Sequence, residues 1–511
     1  FRRVLFRSEN RIYLKHCGTK WRYKASQNFP MRLLLLALPL AVFTLPGLAL
    51  SQISVSANEV VELATASPID GQADHATIAL NDAGDVMIVW SSSVYPRSHA
   101  LSKKRRVEGA FFRRTSLTTW DLYPTHTLGE AEASLMPGGV PIYPGGDRCR
   151  KPDVVAIGND FVASWQRFGE GFTANGRIEG VYLEVPAAGG DMIPHLADPA
   201  GIGHVLDPNV DCRTAGAMVD LGHEPGAGPS IIATYCSRTA SYPLGMSNAF
   251  DFELRAVMFE FASAGAAPTV HPVQTVKAEV HFDDFSDTST FDGGRVLPDV
   301  VYDQFGNVVI AYEEFSRGAR VGVGTPDEGL IYVQRFSVDT AGVMTPLNSQ
   351  TTFGDSSDQG QRRPNLFRAP ANSDICMAFG ERNVTTWEAT VYMHSVVYPD
   401  AASDAVITDH AIALIPTIEE EEPTSFQFKN ARGILIAVDP PLGHRRIGYQ
   451  LAGTGTWNVL TDFNAFQASR PAIDVLEVDP MQNNHGVVAI SAEGRPVPGA
   501  EMRVFAEIIL P

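Results

Sequence analysis

Arginine is the side chain best suited to grip a carboxylate or sulfate, because its planar fork donates two parallel hydrogen bonds. In this sequence it recurs just ahead of short β-type runs, at Arg150, Arg295, Arg363 and Arg470, with His75 at a matching place. Acidic residues recur just behind a second set of runs, notably at Glu313 and Glu381. These seven residues are the candidate ligand-binding set, and an acidic glycan is the ligand that such arginines suit. A glycosidase needs two carboxyl groups flanking the scissile bond, one with a raised pKa; Glu313 and Glu381 could supply them by position. The plainer alternatives are arginines paired with acids of neighbouring repeats, and glutamates that are solvated loop acids. Between His281 and Gly294, Asp283, Asp284, Asp287 and Asp292 offer oxygen ligands for Ca²⁺, without the spacing of an EF-hand. Phosphate-cradling Gly loops, Cys-x-x-Cys, His-Glu-x-x-His and Gly-x-Ser-x-Gly are all absent.

The elements that must hold these groups are repeats. One column runs Phe111, Tyr182, Met258, Tyr332, Tyr392, Tyr449 and Phe505; a second, upstream, runs Trp90, Trp165, Tyr235, Tyr312, Phe379, Val438 and Ile490. Two columns recurring seven times predict one structural unit used seven times. Units open with Pro before a β run, as in Pro152-Asp153-Val154, Pro208-Asn209-Val210, Pro298-Asp299-Val300 and Pro364-Asn365-Leu366. Pro suits the first residue of a strand, where no ladder donor is lost. A Gly/Asn/Asp turn follows, then an almost continuously apolar strand, the pattern of a strand covered on both faces.

Four antiparallel strands repeated seven times predict an all-β, seven-bladed β-propeller. A β-sandwich pair, or six blades with one spurious repeat, are the alternatives. The last repeat ends after its third strand, so Ile53 to Ala64 is expected to supply the fourth and clasp the ring. Long second-to-third loops (Ser91 to Gly109, Cys236 to Glu253, Glu313 to Gly329) and long between-repeat loops (Glu130 to Arg150, Lys277 to Arg295) then share one face. Binding sites accumulate on such a face.

Residues 1–30 are basic and aperiodic and read as a non-native or untranslated leader. Met31 to Ser51 reads as a signal peptide, with Arg32, an apolar run from Leu33 to Leu45 and an Ala-Leu-Ser cleavage site. The apolar run is too short for a membrane span. The expected mature chain, 52–511, is a single domain, secreted or periplasmic. It keeps 31 of the 40 Lys/Arg and 57 of the 58 Asp/Glu, a net charge of −26. That balance opposes nucleic acid and anionic membranes. Its cysteines are Cys149, Cys212, Cys236 and Cys376; a Cys212–Cys236 disulfide and buried thiols are both open.

The unit Asp303 to Tyr312, with Ile331-Tyr332-Val333-Gln334-Arg335-Phe336 and Gly342, resembles a family of secreted bacterial repeat proteins. Their repeat runs Asp-x-x-Gly-x-x-Val-Val-x-Trp, a loop, then Ile-Tyr-x-x-x-Phe. The resemblance implies a propeller at a cell surface or outside the cell and transfers no catalytic residue. A mouth of arginines and carboxylates is also similar to that of sialidases, but their Ser-x-Asp-x-Gly-x-Thr-Trp box is absent. The expected function is ligand binding, of glycan or protein, through the long-loop face. The alternative is a carbohydrate-active hydrolase or lyase, and the third option is a structural surface protein.

Overall fold

The computed structural model describes residues 53–63, 73–93, 105–130, 148–168, 176–199, 201–210, 220–223, 230–244, 247–283, 298–315, 329–353, 359–368, 373–383, 389–412, 423–429, 431–438, 446–459, 467–477, 481, 486–495 and 503–510. The side chains of several strand ends fall outside that description, as do the expected leader and signal peptide. Small antiparallel sheets stand around an axis as a seven-bladed β-propeller. Blades are numbered in chain order.

The first strands are Ala73–Leu80, Arg148–Ile157, Asp220–His223, Asp299–Tyr302, Gln359–Phe367, Thr424–Phe428 and Gln467–Leu476. Each touches the first strand of the next blade, and the seventh touches the first, so they form the inner ring. The second strands are Val86–Ser93, Asp160–Phe168, Ser230–Leu244, Val308–Phe315, Asp374–Asn383, Ala431–Val438 and Val487–Arg495. The third are Arg105–Arg114, Gly176–Glu184, Ser247–Glu260, Gly329–Val338, Ala389–Val397, Arg446–Leu451 and Arg503–Ile509.

Why the second strands lack alternation is visible in blade 1, where every residue of Val86–Ser93 is buried. Neighbouring blades cover both faces, so both parities must be apolar or satisfied. Seven hydrophobic clusters fill the seven blade boundaries. Trp90 packs with Val504 between blades 7 and 1, Phe111 with Trp165 between 1 and 2, and Tyr182 with Tyr235 between 2 and 3. Met258 packs with Tyr312, Ile331 with Phe379, Met393 with Ile434, and Leu435 with Ile490 at the remaining four.

The first-to-second turns have the expected chemistry. Asn81 Oδ1 accepts the N–H groups of Ala83 and Asp85 at 3.0 and 2.8 Å, and Gly84 takes φ 80°. Asp303 Oδ1 does the same for Phe305 and Asn307 at 2.8 and 2.9 Å, with Gly306 at φ 76°. A short polar side chain closes each turn, and glycine supplies the left-handed residue.

A polar girdle runs around the inner ring. Asp153 Oδ2 accepts the N–H of Leu221 in blade 3 at 2.7 Å, and Asp299 Oδ2 accepts that of Leu366 in blade 5 at 2.6 Å. Asn365 Oδ1 accepts the N–H of Ser425 in blade 6 at 2.7 Å, and Thr424 Oγ1 donates to the carbonyl of Pro471 in blade 7 at 2.6 Å. Thr77 holds the matching place in blade 1, opposite Val89. In blade 7 the girdle place holds Ala472, which cannot bond. Asp474, two residues on, takes over and reaches Leu80 of blade 1.

The clasp forms, but the N-terminal segment divides. Val60–Glu62 completes blade 7 against the last strand, with Val61 opposite Ala506, and the Leu63 N–H reaches the Val504 carbonyl at 2.9 Å. Ile53–Ser56 instead joins the outer strand Thr119–Leu122 of blade 1. Neighbouring stretches of one short segment therefore bind the last blade and the first.

Three expectations are corrected. Blade 3 does not open at Pro208-Asn209-Val210. Those residues end the outer strand His204–Val210 of blade 2, and the inner strand is Asp220–His223. Cys236 to Glu253 is not a loop but a hairpin paired as far as Leu244↔Ser247, with Gln274–Asp283 alongside, so the stretch after Lys277 begins as strand. The third-strand column is not one structural column. Tyr332 and Tyr392 lie opposite Tyr312 and Phe379, whereas Phe111, Tyr182 and Met258 lie opposite Met87, Val162 and Ile232, three residues before their column partners. An odd offset places a side chain on the other face of the sheet.

Candidate binding site

Each first strand enters, and each second strand leaves, at the end of the ring where the long connections lie. At that end four inner strands carry the same irregularity. In blades 1, 2, 5 and 7 two residues face one: His75 and Ala76 oppose Trp90, and Lys151 and Pro152 oppose Trp165. Arg363 and Pro364 oppose Phe379, and Arg470 and Pro471 oppose Ala492. A bulge of this kind re-aims a side chain at the edge of a sheet. His75 and Lys151 adopt φ 56° and 50°, a region that non-glycine residues seldom occupy. In blades 2, 5 and 7 the proline of the opening motif is the second bulge residue, and in blade 1 that place is Ala76.

The expected residues are distributed as follows. His75, Arg363 and Arg470 occupy the first bulge position in their blades, partners in one ring of equivalent places. In blade 2 that place belongs to Lys151, which is buried; Arg150 is one residue earlier, opposite Gln166. The His75 N–H donates to the carboxylate of Glu493, so blade 7 holds the bulge of blade 1. Glu313 is not a loop acid. It lies in the second strand of blade 4, opposite Ile331, and is buried. Glu381 is in the second strand of blade 5, opposite Gln361 and Thr390. The side chains of Arg150, Arg363, Arg470 and Glu381, and all of Arg295, lie outside the described residues.

One polar centre at this end is complete. Glu179, fully buried, accepts Trp165 Nε1 at 3.0 Å, Arg167 Nε at 2.7 Å and Arg177 Nε at 2.6 Å, with the Gly203 N–H at 3.3 Å. Arg167 also donates to the carbonyls of Glu130 and Gly201 at 2.7 and 2.9 Å. Its acid comes from its own blade, not a neighbour. Four donors occupy both oxygens of this carboxylate, which is committed to holding the protein together. The signal in sequence was Arg-x-Glu, present as Arg106-Val107-Glu108 and Arg177-Ile178-Glu179, and reversed as Glu253-Leu254-Arg255.

Among the described side chains, three girdle carboxylates stand deeper along the axis. Burial pushes Asp153 and Asp474 up to about 6 and Asp299 to about 7, against hydrogen bonds that pull them down. The charges of Asp474 and Asp299, in non-adjacent blades, also bear on Asp153. All three keep some solvent contact because they line the inner wall, yet protein surrounds them, and the surroundings set the cost of their charge. Burial likewise pushes the Cys376 thiol up to about 12. Cys236 is buried too, while Cys212 and the Cys149 side chain lie outside the described residues. Among the described residues no group of His, Cys, Asp or Glu is arranged to hold a metal ion, and no helix is long and apolar enough to cross a membrane. The acidic residues proposed for Ca²⁺ fall outside the described side chains.

No family model matches the chain. No curated protein matches it in sequence. Among solved structures, it is similar to a protein of unknown function from Dyadobacter fermentans, at 9% identity and TM-score 0.45, over 89% of this chain and 98% of that one. It is similar to the polysaccharide lyase Uly1 at 8% identity and TM-score 0.45, over 89% of this chain and all (100%) of that one. It is also similar to Trypanosoma rangeli sialidase at 10% identity and TM-score 0.38, where it spans 89% of itself and 58% of the sialidase.

Proposed function

We propose that the chain is an exported binding protein whose long-loop face takes a glycan or protein ligand without turning it over. The observation that carries the reading is the repeated bulge. Four inner strands place a basic residue (His75, Lys151, Arg363, Arg470) at the same irregularity, at one end of the ring. Left-handed non-glycine residues cost energy and persist where the surroundings impose them, commonly at ligand-binding places. A rigid ring that offers long loops and basic residues at equivalent bulge positions on one side suits binding.

The reading is tested by titrating the protein with a panel of neutral and acidic polysaccharides while following polymer length. Saturable binding with unchanged length is the expected result. Release of shorter products, abolished by Glu313→Gln or Glu381→Gln, would replace it with the hydrolase or lyase. Export is checked by N-terminal sequencing of the protein made in its own host, with Gln52 expected as the first residue.

A further inference from the structure

One rung at the long-loop end segregates charge around the whole ring. It lies three residues beyond the second-strand residue that pairs with the girdle position. It holds Ser92 with Arg106 in blade 1, Arg167 with Arg177 in blade 2, and Ser237 with Glu253 in blade 3. It holds Glu314 with Leu330 in blade 4 and Glu381 with Thr390 in blade 5. Blades 6 and 7 contribute Val438 with Arg446 and Gly494 with Arg503. Blades 6, 7, 1 and 2 are consecutive around the axis and carry arginine with no acid on this rung. Blades 3, 4 and 5 carry glutamate with no base.

The arginines of blades 7, 1 and 2 share an arrangement. Arg177 Nε donates to Glu179 at 2.6 Å, Arg106 Nη2 lies 2.5 Å from Glu108, and Arg503 Nη1 bonds Glu62. Their side chains remain 33%, 22% and 33% exposed, so each is anchored from behind and still meets solvent. A guanidinium carries five N–H donors in a rigid fork. The acid fixes its plane and leaves the other nitrogens for a ligand. In blade 2, Arg167 and Arg177 share one glutamate, which leaves that cluster with a net positive charge.

We propose that this arc of four blades binds a polysaccharide bearing widely spaced carboxylates or sulfates. The proposal rests on the reading of the long-loop face as the ligand-binding face. Spacing decides the ligand class. Sheets packed face to face stand about 10 Å apart, so successive arginines recur at about that interval. A nucleic-acid strand carries a phosphate every ~3.4 Å, and most of them would go unmatched beside a protein of net charge −18. A polymer with one charge per two sugars leaves few. Glu253 of blade 3 is paired with Arg255, and the rung positions of blades 3 to 5 offer the polymer no arginine, which confines it to the arc.

The test measures binding to hyaluronate, neutral dextran and single-stranded DNA at one ionic strength. Hyaluronate is expected to bind most tightly. The double variant Arg106→Gln, Arg177→Gln is expected to weaken hyaluronate at least tenfold, with Arg177→Lys losing less, and thermal melts confirm the fold. Thr390→Arg removes no anchored arginine and extends the arc into blade 5, so it is expected to tighten hyaluronate severalfold. Dextran and hyaluronate bound equally and unmoved by these changes would overturn the arc and leave the binding face standing. Tighter binding of DNA would overturn the arc as well. No saturable binding to either polysaccharide would overturn the arc and, with it, the glycan form of the binding reading, leaving a protein ligand.

Discussion

Asp474 Oδ2, in the last blade, accepts the backbone N–H of Leu80, in the first, at 2.7 Å. The bond belongs to a series in which Asp153 and Asp299 each hold the inner strand of the following blade. A carboxylate that closes the ring is thus also a buried charge, and closure becomes linked to pH.

The sign follows from the direction of the shifts. All three carboxylates have folded values, about 6 to 7, above the ordinary 3.8. The unfolded chain therefore ionises first. Their contribution to stability is whole below about pH 4 and is lost as pH rises through 6 to 7. Each unit of displacement is worth about 1.4 kcal/mol, and partial solvent contact reduces the effect of Asp299 to on the order of 2 kcal/mol. The thermal midpoint is expected to fall between pH 5 and pH 8. Asp299→Asn should shrink that fall, since Asn365 performs the same task with an amide. A fall of unchanged size in the variant would show that the charge on Asp299 is not its source.

The divided clasp separates two truncations. Removing residues 52–56 takes away only an added edge strand of blade 1, where three of the four residues of Ile53–Ser56 are exposed. Removing residues 52–63 takes the outer strand of blade 7 as well and leaves the edge Arg503–Ile509 unpaired. A ring of blades loses its closure with one strand, because each blade is stabilised by both neighbours. The short truncation should move the melting temperature by a few degrees at most. The longer one should lower it severely in a single transition. Equal midpoints for the two would refute the clasp.

Glu179→Ala should be among the costliest single changes. It strands Arg167, which is buried, and leaves Trp165 Nε1 without an acceptor. Removing one partner of a buried ion pair costs about 3–5 kcal/mol. Urea denaturation at pH 7 reads the loss directly. Glu179→Gln keeps the side-chain volume and one acceptor oxygen and should lose less, and equal losses would mean that the charge alone, rather than volume or the remaining acceptor, matters there.

Fold class, clasp and turn chemistry were legible because each rests on a local signal: apolar runs, Pro at a strand start, Asn or Asp before Gly. Register was not. The column Phe111, Tyr182, Met258, Tyr332 looks uniform along the chain, yet its first three members face the opposite side from their upstream partners. Unequal loops between the two strands hide a three-residue offset. Blade 3 misled for a related reason: Pro208-Asn209 copies the opening motif inside the outer strand of blade 2. At the mouth, proline marked the bulges of blades 2, 5 and 7, but the charge-segregated rung emerges only when register aligns Arg106, Arg177, Arg446 and Arg503. No fixed spacing in sequence relates them.

The register also revises what aromatic truncation should cost. Phe111 is fully buried between blades 1 and 2, against Phe161 and Tyr123. Tyr392 stacks on Phe379 and His394 but remains 37% exposed. Tyr332, opposite Tyr312, is only partly buried. Phe111→Ala leaves a cavity in a packed boundary and should cost about 3–5 kcal/mol. Tyr392→Ala removes one side of a solvent-touching stack, worth about 0.5–1.5 kcal/mol beyond its modest area, and Tyr332→Ala should fall between the two. Were the seven residues one equivalent column, all three losses would match. Chemical denaturation of the three variants therefore tests the register itself, and equal losses would return the column to a single face.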